Sequence, residues 1–223
     1  MANLEETSRA RIVLEHTESS VETFFWVFDI IMKSKGGGGP RDEEQDLLRA
    51  ALVFAGAGLD SCLKELIRGS LKALAKIDEG VQEEFETFVQ RQLRGESEEP
   101  ESIGGYKFLA SVLSSSHPQS KLLNEYVYYL TGTSLQSVEQ LFKTFKALGI
   151  DTKFLGEQKP ALVMIFEARN KIIHELDINF ARGRGHRARN SRRRPDLEEY
   201  SKLLVKVATT TIKLVEDKLQ AAG

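Results

Sequence analysis

Near the end of the chain three residue types that handle phosphate fall close together. The stretch reads Glu167-Ala168-Arg169-Asn170-Lys171-Ile172-Ile173-His174-Glu175-Leu176-Asp177. On a helix, at about 100° per residue, Leu162, Ile165, Phe166, Ile172, Ile173 and Leu176 form one apolar arc. Glu167, Lys171 and Glu175 face the other way. Arg169 falls inside the apolar arc, and Asn170 and His174, four apart, stack on its edge. An arginine aimed at a core is costly unless it is paired or faces a cleft. Two arrangements satisfy that demand: a polar notch walled by Arg169, Asn170 and His174, or a buried ion pair with a satisfied histidine beside it. In the notch, the imidazole would move protons near neutral pH, since it titrates at about 6.5 when unperturbed. The guanidinium would meet phosphate oxygens through a forked, charge-assisted contact.

A second chemical feature follows at once. Arg182, Arg184, Arg187, Arg189, Arg192, Arg193 and Arg194 lie together with His186, and no acid falls among them. The whole chain holds 31 Lys+Arg against 33 Asp+Glu, a net charge of −2. With those seven arginines set aside, 24 basic residues face 33 acidic ones, a balance of −9. A basic segment on an acidic body suits a local anion-binding element and not a basic coat over the whole surface. The other reading is a disordered loop kept soluble by its charge.

Other signatures are missing. The sequence has no phosphate loop of the G-x-x-x-x-G-K-[ST] form, no H-E-x-x-H and no G-x-S-x-G. Cys62 is the lone cysteine, so no intramolecular disulfide forms and a thiolate zinc site is disfavoured. It lies on an apolar helix face and reads as a small buried hydrophobe. Gly56-Ala57-Gly58 sits inside a helical pattern, where glycines let a second helix come close. His117 precedes Pro118 in a serine-rich turn and reads as surface. No metal ligand set and no cofactor site is expected.

The elements that position these residues are helices. One amphipathic stretch runs from about Leu4 to Lys33 and carries Phe24, Phe25 and Trp26, a cluster suited to core or to a dimer surface. Gly36-Gly37-Gly38-Gly39-Pro40 stops it. A second runs from Asp42 to about Ile77, its apolar residues recurring at three and four positions. Shorter helices are expected over Val81–Leu93, Tyr106–Leu113, Gln119–Leu130 and Ser134–Leu148, the last capped by Ser134 and closed by Gly149. Pro160 is expected to open the helix that ends near Leu176, and Pro195 to open the last one. No alternating pattern calls for a strand. The expectation is an all-α bundle forming a single domain over 1–223, with long N-terminal helices and a basic loop at 178–195 before the final helix. No apolar run reaches the roughly 18–20 residues a membrane span needs. The Met1-Ala2-Asn3-Leu4-Glu5-Glu6 start lacks a basic and then apolar leader. A cytoplasmic location is the expectation.

Arg169-Asn170-Lys171-Ile172-Ile173-His174 resembles the R-x4–6-H motif of the HEPN superfamily. The polar residue directly after the arginine, the Ile-rich stretch before the histidine and the position ahead of a final helix all match. A second copy of the spacing, Arg11-Ile12-Val13-Leu14-Glu15-His16, has Ile12 after the arginine and lies far from the final helix. The resemblance implies an α-helical, often dimeric protein. Many members are metal-independent ribonucleases of toxin–antitoxin, anti-phage or RNA-processing systems. Others are non-catalytic RNA- or nucleotide-binding modules. Some members carry a modifiable tyrosine two residues after the histidine; Leu176 stands there, so that regulation is not expected here.

On this reading the substrate is RNA, with its 2′-hydroxyl as nucleophile. His174 moves the proton, Arg169 meets the charge that develops on phosphorus, and Asn170 holds the imidazole or the phosphate. One histidine cannot comfortably be both acid and base. A homodimer with a composite site would supply the second. Asp60 is the expected supporting partner for Arg169. An antitoxin or a defence-complex protein is the expected protein partner. The alternatives are a non-catalytic RNA- or nucleotide-binding module, or a regulatory subunit of a defence complex that docks through its aromatic first helix.

Overall fold

The structure is a computed structural model that describes residues 5–95, 105–179 and 189–222. These residues form eight α-helices: α1 (Glu5–Ser34), α2 (Asp42–Ile77), α3 (Glu79–Arg94), α4 (Gly105–Leu113), α5 (Pro118–Thr131), α6 (Val138–Ala147), α7 (Lys153–Glu175) and α8 (Arg194–Ala221). There is no strand among the described residues; an isolated antiparallel bridge joins Ile178 to Arg189. The fold is all-α. No described helix is long and apolar enough to cross a membrane.

α2 is the axis of the bundle. Its 36 residues reach roughly 54 Å at 1.5 Å per residue, and it packs against α1, α3, α5, α7 and α8. Leu48, Leu52, Leu63, Leu66, Leu71 and Leu74 along it are fully buried. Each such side chain removed from water contributes about 1.5–3 kcal/mol. α2 returns antiparallel along α1 after Gly36, Gly37 and Gly38, which all take positive φ. Two glycines of α2 set how close the pair comes. A Cβ at Gly58 would collide with the Thr17 side chain, and one at Gly69 with the Glu6 backbone carbonyl. At the start of α2, the Glu44 carboxylate accepts the Arg41 backbone N–H at 2.7 Å, which satisfies a donor the helix leaves open.

Three expected boundaries move. α6 starts at Val138, and Ser137, not Ser134, caps it by accepting the Gln140 N–H. The delay has a cause in α2: the Leu135 backbone N–H donates to Asp60 Oδ1 at 2.6 Å. That bond, with the burial of Leu135, holds the segment before α6 against α2 instead of coiling it. Pro160 lies inside α7, two turns in, and not at its start. A proline there removes one helical hydrogen bond and crowds the carbonyl four residues back. That carbonyl belongs to Gly156, and both residues are exposed, so water can take the bond. Arg194 lies within the last helix, one residue earlier than expected.

Candidate functional site

α7 carries the Arg169, Asn170 and His174 side chains, and α2 supplies the surface beneath Arg169. Arg169 lies against Gly56 of α2. A Cβ built at Gly56 would lie 3.7 Å from Arg169 Cγ, 3.8 Å from Arg169 Nε and 3.6 Å from Gln136 Oε1. The arginine stem therefore lies across the bare backbone of Gly56, with Gln136 on its other side. Arg169 Nε and Gln136 Oε1 are both buried and both lack a hydrogen-bond partner. Such groups cost roughly 1–3 kcal/mol each when nothing satisfies them. The Arg169 Nη1 end reaches out to donate to Asn170 Oδ1 at 2.9 Å.

Burial pulls the Arg169 guanidinium below its ordinary pKa, while the Asp60 carboxylate pulls it back up. Asp60 is thus close enough to act on Arg169 electrostatically. Its direct contacts go elsewhere, to Lys64 at 2.9 Å and to the Leu135 N–H. No carboxylate lies within 4 Å of Arg169 among the described residues. The expected support from Asp60 is therefore a field across a gap and not an ion pair. His174 is exposed and makes no hydrogen bond to any described residue. Of the two arrangements considered from sequence, the ion pair is not formed by Arg169 among the described residues, and His174 is exposed further along the same helix.

The other Arg-x4-His copy is built differently. Arg11 Nε donates to Glu216 Oε1 at 2.6 Å, Arg11 Nη2 meets the second carboxylate oxygen, and Thr7 donates to the same group at 2.6 Å. That guanidinium is neutralised by the fold. Arg169 is not.

Just beyond His174 the chain makes a feature that sequence reading did not find. Leu176 and Asp177 both take left-handed backbone, at φ 50° and 59°. This costs non-glycine residues about 1–2 kcal/mol each and turns α7 sharply off its axis. Asp177 is fully buried. Its carboxylate accepts from Arg192 Nε at 2.8 Å and Nη2 at 2.6 Å, from Arg49 Nε at 3.1 Å and from Asn190 Nδ2 at 3.1 Å. Burial pushes the Asp177 carboxyl up, but Arg192, Asn190 and Arg49 outweigh it and hold the group below the usual carboxylate range. Arg49, 2% exposed, also donates to Asp46 at 3.0 Å and to the Asn190 carbonyl at 2.9 Å. The signal available in the sequence was Arg49 itself, a cation inside the apolar pattern of α2.

The basic segment divides at this point. Arg182, Arg184, Arg187 and His186 lie outside the described residues. The other four arginines have partners within the fold. Arg189 donates to the Leu176 carbonyl at 2.8 Å and pairs with Asp46 at 2.6 Å. Arg192 grips Asp177, and its backbone N–H donates to Gln45 Oε1 at 2.7 Å. Arg193 pairs with Asp196 at 2.6 Å. Arg194 takes both oxygens of Asp29 at 2.7 and 2.8 Å, pairs with Glu198 and lies over the Phe25 ring.

The remaining candidates are plain. Burial pushes the Cys62 thiol up to about 12, which suits a small hydrophobe. Phe25 is buried, Phe24 packs edge-on against Phe54 at 5.1 Å, and Trp26 is exposed. No group of three or more His, Cys, Asp or Glu side chains among the described residues is placed to hold a metal ion. No family model, no curated protein and no solved structure matches the chain.

Proposed function

We propose that the protein is a metal-independent endoribonuclease of HEPN type, acting as a toxin or anti-phage effector. One observation carries the reading. Of the two Arg-x4-His copies, only Arg169 keeps a guanidinium without a carboxylate partner among the described residues, on the helix that also carries an exposed histidine. A cation held ready and a proton carrier are the groups that phosphodiester cleavage uses.

In this mechanism the RNA 2′-hydroxyl loses its proton to His174 and its oxygen attacks the adjacent phosphorus. The P–O5′ bond breaks, and the leaving 5′-oxygen takes a proton from the His174 of a second copy across a dimer cleft. The products are a 2′,3′-cyclic phosphate and a 5′-hydroxyl. Arg169 meets the extra negative charge on the phosphoryl oxygens. Asn170, already bonded to Arg169, fixes the fork that does so. DNA has no 2′-hydroxyl and is not cut.

The test is incubation of wild type and His174→Ala with labelled single-stranded RNA in EDTA, with folding checked by circular dichroism. Cleavage by wild type alone, leaving cyclic phosphate ends, supports the reading. Equal cleavage by both, or by neither, rejects it. The absence of any described group that orients the His174 ring favours a second reading, a non-catalytic RNA-binding module or regulatory subunit. RNA binding without cleavage would support that one.

A further inference from the structure

Away from Arg169, α3, α5, α6 and the first turns of α7 enclose a cleft of about 590 Å³. Lys159, on its α7 wall, lies ten residues before Arg169, or about 15 Å along the helix. The floor is aromatic. Phe88 and Tyr126 are buried with ring centroids 4.9 Å apart, and Tyr129 lies 5.1 Å from Phe88. The rim is cationic, with Arg91 from α3, Lys143 and Lys146 from α6, and Lys159 from α7. None of these four has a carboxylate within 4 Å among the described residues. The Lys143 ammonium rests 3.7 Å above the Tyr129 ring, a cation held by a π face for want of an anion. Glu84 and Glu139 are the two acids in the lining. Glu139 is held by its own backbone and Ser137 in the first turn of α6 and is drawn also by Lys159; four cations against two acids leave the rim in positive excess.

A ligand for this cleft needs a flat apolar face and a negative charge. We propose that it binds a nucleobase carrying a phosphate, the base on the Tyr129 face, which Phe88 and Tyr126 back from beneath, and the phosphate on Arg91, Lys143 and Lys146. The volume lies in the range of small-molecule sites, about 300–1,000 Å³. Aromatic floors accept any base, because every base has a π face. When phosphate arrives, Lys143 leaves the Tyr129 ring for the anion and frees that face. The phosphorylated base can belong to a free nucleotide or to a single-stranded RNA. The proposal does not depend on cleavage.

The experiment is titration calorimetry of the full chain with the four ribonucleoside monophosphates, adenosine, inorganic phosphate and a short oligoadenylate. At least one monophosphate is expected to bind, and adenosine and phosphate each to bind at least about tenfold more weakly. Arg91 and Lys146 are exposed, so the Arg91→Gln/Lys146→Gln variant folds, and its affinity is expected to fall about tenfold. Tyr129→Leu is expected to cost roughly tenfold or more. Arg169→Ala and His174→Ala are expected to bind as wild type, which separates this cleft from the proposed cleavage site. Oligoadenylate binding at least about tenfold tighter than AMP, with the gain lost in the rim variant, identifies an RNA strand as the source; equal affinities identify free nucleotide. Failure of all four monophosphates to bind, equal binding by wild type and rim variant, or loss of binding in Arg169→Ala overturns the proposal.

Discussion

Arg192 holds Asp177 by both carboxylate oxygens, at 2.8 and 2.6 Å, three residues past His174 and across the base of the basic segment. Arg49 of α2 binds the same carboxylate from the other side. The end of the helix carrying the candidate site is thus fixed by charge and not by a hydrophobic cap.

Removing the shared anion should be expensive. Asp177→Ala leaves Arg49, 2% exposed, and Arg192 without their common partner. Breaking one side of a buried pair costs about 3–5 kcal/mol. Urea unfolding should show a loss of that size. A loss under about 1 kcal/mol would mean that water reaches the site and replaces the carboxylate.

The same carboxylate sets an acid dependence. Its folded pKa lies below the ordinary value, so the folded state binds fewer protons than the unfolded one in that range. Its contribution is complete above the unfolded value of about 3.9 and is lost as pH falls toward the folded value. Glu216, whose burial is outweighed by Arg11 and Thr7, behaves likewise. Stability measured from pH 6 downward should therefore drop through the carboxylate range. Asp177→Asn, which tolerates left-handed backbone, should flatten that drop.

The glycines of α2 should respond in opposite ways to alanine. At Gly56 the new Cβ meets only ordinary contacts, at 3.6 Å and beyond. The gain in helix propensity, about 0.8–1 kcal/mol, should appear as added stability. At Gly69 it collides with backbone of α1, which cannot step aside, and α1 must shift. Thermal melts of the two variants should move in opposite directions.

Arg169→Met should separate stability from activity. It removes a buried nitrogen with no partner, so stability should hold or rise. RNA cleavage should fall by about 10²–10³-fold, as when one donor to a developing oxyanion is lost. Parallel unfolding and cleavage assays check both halves. A variant that cleaves normally would exclude Arg169 from the chemistry.

Salt dependence should come from only part of the basic segment. Arg189, Arg192, Arg193 and Arg194 already have carboxylate partners. If the segment grips RNA, Arg182, Arg184 and Arg187 are the residues to replace. Three phosphate contacts on a single strand correspond to a slope of about 2 in log K against log salt. The triple Gln variant should lose that slope, and an unaltered slope would assign the segment another role.

Much of the bundle was legible in the sequence. α2 runs from Asp42 to Ile77 as its apolar spacing and the Gly-Pro stop before it indicate. The placement of Arg169 on the apolar arc of α7 was also legible, because a helix projects its side chains by a fixed rotation. What escaped depends on partners far away in the chain. The start of α6 is set by a bond from Leu135 to Asp60, 75 residues earlier. The Asp177 clamp needs Arg49, 128 residues earlier. Local spacing holds no record of such pairings, and so the arginines of one segment all looked like ligands for an external anion.

The bridge between Ile178 and Arg189, with the Asp177 clamp beneath it, has a consequence for how the chain can change. The two ends of the intervening stretch are stapled to the bundle by bonds that do not involve its contents. The anchors are Asp177, Ile178, Arg189, Asn190 and Arg192, so the end of α7 and the start of α8 are tied to each other through one charge-locked corner. A substitution at any of these anchors therefore acts on both helices at once.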